Sequence, residues 1–319
     1  MRSSPHVFTL RQLQYAAAVG DVRSFRRAAE RCHVSQPSLS AQVIQLEEQL
    51  GVQLFERGSR KVIVTTAGEV VLTRIRRLLL EADDLADSVR QLGDPLAGTL
   101  RLGVIPTVSP YLLPEVVPEL RMRYPELSAV WVEDKTGTLM DALAEGRIDG
   151  ALLALEAPLG EVEHEVVCED PFVLAAPPGH PLAQSTRPAT AQELRGADFL
   201  LLDDGHCFRD QALAYCASAR GRELDFRATS LSTLTQMVAG GAGVTLLPRI
   251  SLPVENRRSE LAIRRLESPE PHRTLALVWR PRSPLGPSLR MLAQTIREKY
   301  EAARLRLGDA LPAARKGAP

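Results

Sequence analysis

The sequence contains no run of eighteen apolar residues, which excludes a transmembrane helix of ordinary length. Only four of the 319 residues are cysteine. That is too few for a disulfide scaffold in a chain of this length. We find no secretory signal, and we therefore expect a reduced protein in the cytoplasm that does not bind a membrane.

Metal and nucleotide motifs are also missing. The spacing of Cys207 and Cys216, with one adjacent histidine, matches no compact tetrahedral zinc site. The glycines at 240, 241 and 243 precede an apolar run, whereas a phosphate-binding loop follows a strand and opens a helix. We therefore expect no metal and no cofactor. A chain with 45% hydrophobic residues and this length is typical of a soluble protein with two or three domains.

Positive charge is concentrated at the N-terminus, although the net charge of the chain is zero. Residues 1–65 contain nine Lys/Arg and five Asp/Glu, a net +4 that is compatible with a polyanionic partner. Helical periodicity predicts helices over residues 10–19, 25–31 and about 37–50. The short connection between the second and third helices predicts a helix-turn-helix.

The N-terminal end of the third helix carries candidates for DNA contact. Short polar side chains there can reach base edges in a major groove, and glutamine can pair with adenine. Residues 54–66 predict a strand, a Gly-Ser turn and a strand, which is a wing whose basic tip would meet phosphates. The candidate DNA-binding residues are Ser35, Gln36, Pro37, Ser38 and Gln42 on the helix, and Arg57, Arg60 and Lys61 at the wing tip. The alternative is an ordinary small helical domain with a charged loop.

Residues 66–92 lack proline and repeat apolar residues at heptad spacing, which predicts one long helix with a dimerisation seam. The seam consists of Val71, Ile75, Leu78, Ala82, Leu85, Val89 and Leu92. A dimer would present two DNA-binding heads to two half-sites. The alternative is a helix that packs on its own domain. Gly93 and Pro95 end the helix and mark a domain boundary.

From residue 99 onward, strand and helix patterns alternate, which predicts an α/β domain with largely parallel sheets. Predicted strands cover residues 99–105, 129–133, 148–155, 199–202, 244–247 and 275–279, and predicted helices cover 108–124, 136–145, 210–219, 231–239 and 287–300. Two lobes of this kind would leave a cleft at the C-terminal ends of the strands. Thr107 and Thr136 each lie between a predicted strand and a predicted helix, where helix N–H groups favour polar ligands. The alternative is that each threonine only caps its helix.

The segment GHCFRDQALAYC combines two cysteines with charged neighbours. A nearby cation or a helix N-terminus favours the reactive thiolate, and His206 and Arg209 are candidates for that charge at Cys207. If residues 210–216 are helical, the two sulfurs lie about 10 Å or more apart. A disulfide needs Cα atoms about 4.4–6.8 Å apart, so this bond would require unwinding and would act as a switch. Two unrelated semi-buried cysteines are the alternative.

Residues 9–66, with AAERCHVSQPSLSAQVIQLEEQLGVQLFER and TTAG, resemble the LysR-type transcriptional regulators. The resemblance covers nearly the whole chain. It implies a winged helix-turn-helix domain (1–65), a long linker and dimerisation helix (66–94), an α/β two-lobed periplasmic-binding-protein-like regulatory domain (95–303) and a flexible tail (304–319). It also implies a homotetramer, a dimer of dimers, which binds double-stranded DNA, contacts RNA polymerase and is not an enzyme.

The motifs IPTVSPYLLP, GHCFRDQALAYC, FRATSL and GVTLLP are similar to those of the peroxide-sensing members of this family. That resemblance implies hydrogen peroxide as the effector, with Cys207 as the reacting cysteine and Cys216 as its resolving partner. It also implies a peroxide-binding site formed by Thr107, Thr136, His206, Arg209 and Asp210. Two alternatives remain: a regulator of the same fold that binds a metabolite in the interlobe cleft, and a thiol peroxidase.

Overall fold

The computed structural model describes residues 8–56, 62–90, 96–218, 220–258 and 260–308. The chain divides into two compact units, Met1–Arg90 and Gln91–Pro319. The first unit is a head of three helices and two short strands followed by a long helix, and the second is an α/β domain.

The head begins with three helices, each of which starts at a side-chain cap. Thr9 accepts from the Gln12 N–H in a capping box, and Ser24 and Ser35 accept from the third residue after them. A short antiparallel strand pair follows. The elements are α1 (Leu10–Val22), α2 (Phe25–Arg31), α3 (Gln36–Leu50), β1 (Phe55–Glu56) and β2 (Ile63–Val64).

The core of the head forms on one side of α3. Leu39, Val43 and Leu46 are fully buried, as their helical spacing predicts. Glu47 is buried beside them and accepts hydrogen bonds from the backbone N–H groups of Leu54 (2.8 Å) and Phe55 (3.1 Å). These bonds attach the start of the wing to α3, so the predicted winged helix-turn-helix is confirmed.

The long helix α4 (Thr66–Arg90) has two different halves. Leu72 and Ile75 are buried in the core of the head. Further along, Leu78 is 44% exposed and Leu85 is 70% exposed. The helix therefore packs on its own domain at its start and presents apolar seam residues to solvent beyond it. Of the predicted seam, Leu92 and the side chain of Val89 lie outside the described residues.

The second unit is built from alternating strands and helices. Its strands are β3 (Gly98–Val104), β4 (Leu127–Glu133), β5 (Gly150–Ala154), β6 (Glu163–Ala176), β7 (Asp198–Leu202), β8 (Arg222–Ala228), β9 (Thr245–Pro248), β10 (Ala262–Arg265) and β11 (His272–Trp279). Its helices are α5 (Ser109–Arg123), α6 (Thr136–Ala144), α7 (Cys207–Ser218), α8 (Leu231–Ala239), α9 (Leu252–Glu255) and α10 (Gly286–Gly308). Helix α10 continues past residue 304, where the sequence predicted a tail.

The sheets are mixed, so the prediction of largely parallel sheets is wrong. β3 runs parallel to β4 and β5, and β7 runs parallel to β8. However, β11 is antiparallel to β5 and β6, and β6 is antiparallel to β9 and β10. The strands β6, β8 and β10 were not predicted from the sequence. In β6, the charged residues and Pro171 interrupt the apolar run that indicates a buried strand.

The strand β6 connects two lobes, each with its own hydrophobic core. Its first half pairs with β11 in lobe 1, and residues 172–176 pair with β9 and β10 in lobe 2. The core of lobe 1 includes Leu102, Leu152 and Trp279, and the core of lobe 2 includes Phe199 and Leu246. The two-lobed α/β architecture is therefore confirmed.

Candidate redox site and DNA interface

Helix α7 holds both cysteines of the GHCFRDQALAYC segment. It begins at Cys207 itself, three residues earlier than the sequence predicted. Nine residues of continuous helix at about 1.5 Å each place the two cysteines about 13 Å apart along the axis. Cys207 packs in the core of lobe 1 and Cys216 in the core of lobe 2. Both thiols are free, and a bond between them requires α7 to unwind.

Cys216 is protected from reaction in this arrangement. Its side chain is 4% exposed. Burial, together with the carboxylate of Glu223, raises the pKa of Cys216 to about 12. The residue is therefore a neutral thiol near pH 7, and it becomes an effective nucleophile only after it leaves this position.

His206 precedes Cys207 and is also buried. Burial and then the positive charge of Lys135 lower the pKa of His206, while Asp203 opposes them. Burial and Lys135 thus disfavour the charged imidazolium, which argues against His206 as the source of positive charge at Cys207. Its Nε2 atom is buried and has no hydrogen-bond partner in the described part of the chain. A neutral imidazole with an unsatisfied ring nitrogen suits a small polar ligand.

The guanidinium of Arg209 pairs with carboxylates. Its Nε donates to Asp204 Oδ1 (2.8 Å), its Nη1 donates to the carbonyl of Leu202 (3.3 Å), and Glu223 lies 2.8 Å from Nη1. The side-chain bond from Arg209 holds the pKa of Asp204 below its ordinary value. Because two carboxylates balance the guanidinium charge, Arg209 mainly fixes the start of α7 to β7 and β8. Asp210 is exposed on the first turn of α7.

Thr107 and Thr136 are both buried at the ends of lobe 1 strands. Neither is an N-cap: α5 starts after Val108 and α6 after Lys135, and neither helix has a side-chain cap. Thr107 Oγ1 accepts a 2.7 Å hydrogen bond from Arg273, so its own hydroxyl proton remains available to a ligand. Thr136 Oγ1 is buried and unpartnered within the described residues.

A cavity of about 460 Å³ opens between the lobes. Of the predicted peroxide-binding residues, Thr107 and His206 line it. Lys135 also lines it, from the position directly before Thr136. On the other side, the hydroxyl of Tyr111 donates to Glu255 (2.6 Å), and this bond joins α5 of lobe 1 to α9 of lobe 2.

The residue that orients Thr107 was not predicted from the sequence. Arg273, in β11, is fully buried with Asp170 of β6, and its Nε and Nη2 donate to Asp170 Oδ2 (3.0 and 2.9 Å). It also lies over the ring of Phe208, the neighbour of Cys207, with 5.7 Å from Cζ to the ring centroid. The only sequence signal is a charged residue in the apolar run of β11. Its partner is 103 positions away.

The candidate DNA interface lies at the start of α3. Ser35, Gln36, Pro37 and Ser38 are exposed, and Gln42 is half-buried. Ser35 Oγ accepts from the Ser38 N–H (3.4 Å), so this hydroxyl caps the helix. The predicted phosphate contacts Arg57, Arg60 and Lys61 lie outside the described residues.

Two kinds of feature are absent from the described ranges. No group of three or more His, Cys, Asp or Glu side chains in those ranges could hold a metal ion. No helix in them has the length and apolar character needed to cross a bilayer.

The first unit has the helix-turn-helix architecture of DNA-binding domains, and the second is a two-lobed α/β domain with a cavity between its lobes. Residues 10–69 match the family described as "Bacterial regulatory helix-turn-helix protein, lysR family". Residues 93–301 match the family described as "LysR substrate binding domain". The chain belongs to the LysR family.

Within that family, the chain is similar to peroxide-responsive regulators. It is 44% identical to the hydrogen peroxide-inducible genes activator of Pectobacterium carotovorum subsp. carotovorum, over 92% of this chain and 97% of that protein. It is 42% identical to the DNA-binding transcriptional dual regulator OxyR of Escherichia coli K12, over 92% and 96%. A solved structure of a full-length OxyR variant from Pseudomonas aeruginosa matches with a TM-score of 0.76 at 33% identity, over 92% of this chain and 95% of that one.

Proposed function

We propose that this chain is a DNA-binding transcriptional regulator that senses hydrogen peroxide. Peroxide oxidises Cys207, and a disulfide with Cys216 then switches the regulator. The main support for the proposal is that the two cysteines lie on one helix, at a separation that prevents a disulfide unless the helix unwinds. In addition, Cys207 follows a buried histidine whose Nε2 has no hydrogen-bond partner among the described residues. The full-length similarity to hydrogen peroxide-inducible activators supports it.

The residues around Cys207 suit the chemistry of a small polar oxidant. The Cys207 thiolate attacks one oxygen of H₂O₂, the S–O bond forms as the O–O bond breaks, and the leaving hydroxide takes a proton to become water. The Thr107 hydroxyl, Thr136 Oγ1 and His206 Nε2 are the polar groups that would orient the peroxide and stabilise the leaving oxygen. Cys207 is the first residue of α7, and helix N-termini favour negative charge.

The second step produces the switch. The Cys216 sulfur attacks the sulfenic sulfur, the S–S bond forms as the S–O bond breaks, and the hydroxide leaves as water with the proton from Cys216. Two thiols and one H₂O₂ thus give one disulfide and two waters. Because α7 must unwind, Phe208 leaves its edge-to-face contact with Phe172 (5.0 Å between ring centroids) and Arg209 leaves its carboxylates. The surface of lobe 2 is then repacked, which changes the assembly on DNA.

The experiment that tests this function is non-reducing peptide mapping by mass spectrometry, before and after one equivalent of hydrogen peroxide per subunit. We expect a linked peptide pair that joins Cys207 to Cys216 only after peroxide. If both thiols stay free at that dose, the sensor proposal fails.

We expect Thr107→Val to slow oxidation of Cys207 by peroxide by about tenfold or more, because the variant loses the hydroxyl that Arg273 orients. The measurement is the second-order rate constant for peroxide. Thr295→Val is the matched control, since Thr295 is a buried threonine of α10 that bonds within lobe 1 at Met291 and Tyr124. An unchanged rate constant in Thr107→Val would remove Thr107 from the site.

The proposed regulator acts as a homotetramer, a dimer of dimers, in the cytoplasm. The exposed Leu78 and Leu85 of α4 supply apolar surface for the dimer. The polar start of α3 reads bases, with Arg57, Arg60 and Lys61 on the phosphates, and the oxidised form activates transcription through contact with RNA polymerase. The protein is not an enzyme, because one oxidation per subunit is enough to switch it.

A second candidate function is a regulator that binds a metabolite between the lobes. The cavity of about 460 Å³, with Lys135, Ser230, Ser232 and Glu255 on its walls, is large enough for a small organic ligand. A metabolite that raises the melting temperature of Cys207→Ser and also changes its DNA binding would favour this function.

A further inference from the structure

Lys135 connects the two lobes at the cysteine site. It belongs to lobe 1, directly before Thr136 at the start of α6. Its Nζ donates to the carbonyl of Asp204 in lobe 2 (2.6 Å) and lies 3.7 Å from the Asp203 carboxylate. Asp203 and Asp204 form the turn that leads through Gly205 and His206 into Cys207.

The aliphatic part of the Lys135 side chain also contacts the turn, because it packs against Gly205. Gly205 has φ +88°, and a Cβ at this position would lie 3.0 Å from Lys135 Cδ. A side chain at 205 would therefore be strained and would displace the lysine. The Lys135 chain thus crosses the turn at its glycine and ends on the turn's carbonyl oxygen.

The turn is also held from within lobe 2. Asp204 accepts from Arg209 (2.8 Å) and also bonds Arg227. These bonds fix the turn to α7 and β8 but do not reach lobe 1. Lys135 adds a direct hydrogen bond from lobe 1 to this turn, alongside the packing of Cys207 in the core of lobe 1.

We propose that Lys135 is a positioning residue that holds the Asp203–Asp204 turn against the start of α6, so that Thr136 of lobe 1 and His206 of lobe 2 face the same bound peroxide. This inference rests on the proposed reaction of Cys207. Thr136 Oγ1 and His206 Nε2 are both buried and have no hydrogen-bond partner among the described residues. Thr136 directly follows Lys135, and His206 lies two residues after Asp204, whose carbonyl accepts the Lys135 bond. Two orienting groups on separate lobes act together only if the lobes keep a fixed spacing, because small displacements of such groups reduce rates strongly.

The test uses the full-length chain with Cys216→Ser, so that the sulfenic acid at Cys207 can be trapped with dimedone and the first step is measured alone. Lys135→Met keeps the aliphatic packing on Gly205 and removes the ammonium group. We expect it to lower the rate constant for oxidation by H₂O₂ by about tenfold or more. We expect Lys135→Arg, which keeps a cationic donor, to restore most of the rate.

Two controls separate positioning from a general effect. Alkylation of Cys207 by iodoacetamide does not use the peroxide-orienting groups, so its rate should be the same in Lys135→Met and the parent. Lys299→Met removes another lysine of the regulatory domain, which pairs with Glu119 (2.5 Å), and should leave peroxide oxidation unchanged.

The inference is overturned if Lys135→Met reacts with peroxide at the parent rate, if alkylation falls by the same factor, if Lys299→Met loses as much, or if Lys135→Arg fails to rescue. A different result would show that the proposed function itself is wrong. In that case the parent chain itself forms no dimedone adduct with H₂O₂, and both proposals fall together.

Discussion

Cys207→Ser is expected to abolish the peroxide-induced disulfide and the transcriptional response, while binding to the promoter persists. A serine hydroxyl stays protonated near neutral pH and forms no sulfenic acid, so the first bond of the sequence cannot form. The DNA-binding head belongs to a separate compact unit with its own core, so it should fold normally in the variant. The measurements are reporter induction by H₂O₂ and a mobility-shift titration of the promoter.

Two further variants sharpen this result. Cys216→Ser should still form the sulfenic acid at Cys207, which dimedone traps, but not the disulfide. Cys168→Ala is the matched control, because Cys168 is another buried cysteine of the same domain and burial raises its pKa. It should keep the full response. Induction that survives in Cys207→Ser would contradict the sensor proposal.

The second large effect concerns stability. Arg273→Met should destabilise the regulatory domain by about 3–5 kcal/mol, because it leaves the Asp170 carboxylate buried without its charged partner. For a domain of this size, the melting temperature should fall on the order of 10 °C. Thr107 also loses its donor, so the rate of Cys207 oxidation should fall together with stability. Thermal unfolding followed by circular dichroism measures the first effect.

Arg264→Met is the matched control for that loss. Arg264 is also a buried arginine, but its ion-pair partner Glu193 is 40% exposed and stays solvated when the arginine is removed. Its substitution should therefore cost less than that of Arg273. The double variant Arg273→Met, Asp170→Leu should recover part of the stability, since it leaves no unpaired buried charge. Equal losses in Arg273→Met and Arg264→Met would mean that the buried carboxylate does not dominate.

Local patterns predicted most of the head correctly. The caps Ser24 and Ser35, the apolar stripe of α3 and the glycine that ends α3 all act within a few residues, so their physics can be read along the chain. The helix α5 was also predicted, with Pro110 in its first turn and with Pro114 and Pro118 inside it. Burial along α4 could not be predicted in this way. The heptad pattern predicts an apolar seam, but it does not show that Ile75 is buried by the head while Leu85 is exposed.

Strand direction could not be predicted in the same way. The strand β11 inserts between β5 and β6, about a hundred residues from each along the chain, and runs antiparallel to both. Alternation of strands and helices favours parallel pairing but does not record a late strand that returns to the middle of a sheet. The polar strand β8, with the sequence RELDFRA, lacks the apolar run that marks a buried strand.

The sequence by itself determined the order of the elements, the cysteine pair with its nine-residue spacing, and the family resemblance, because each is expressed in residues close together along the chain. The tertiary structure alone decided how the charges around Cys207 are arranged. Arg209 lies against Asp204 and Glu223, burial and Lys135 lower the pKa of His206, and Arg273 orients Thr107 from a strand 166 residues away. Coulomb interactions and desolvation depend on distance and burial in space, and the spacing of residues along a chain does not give either quantity.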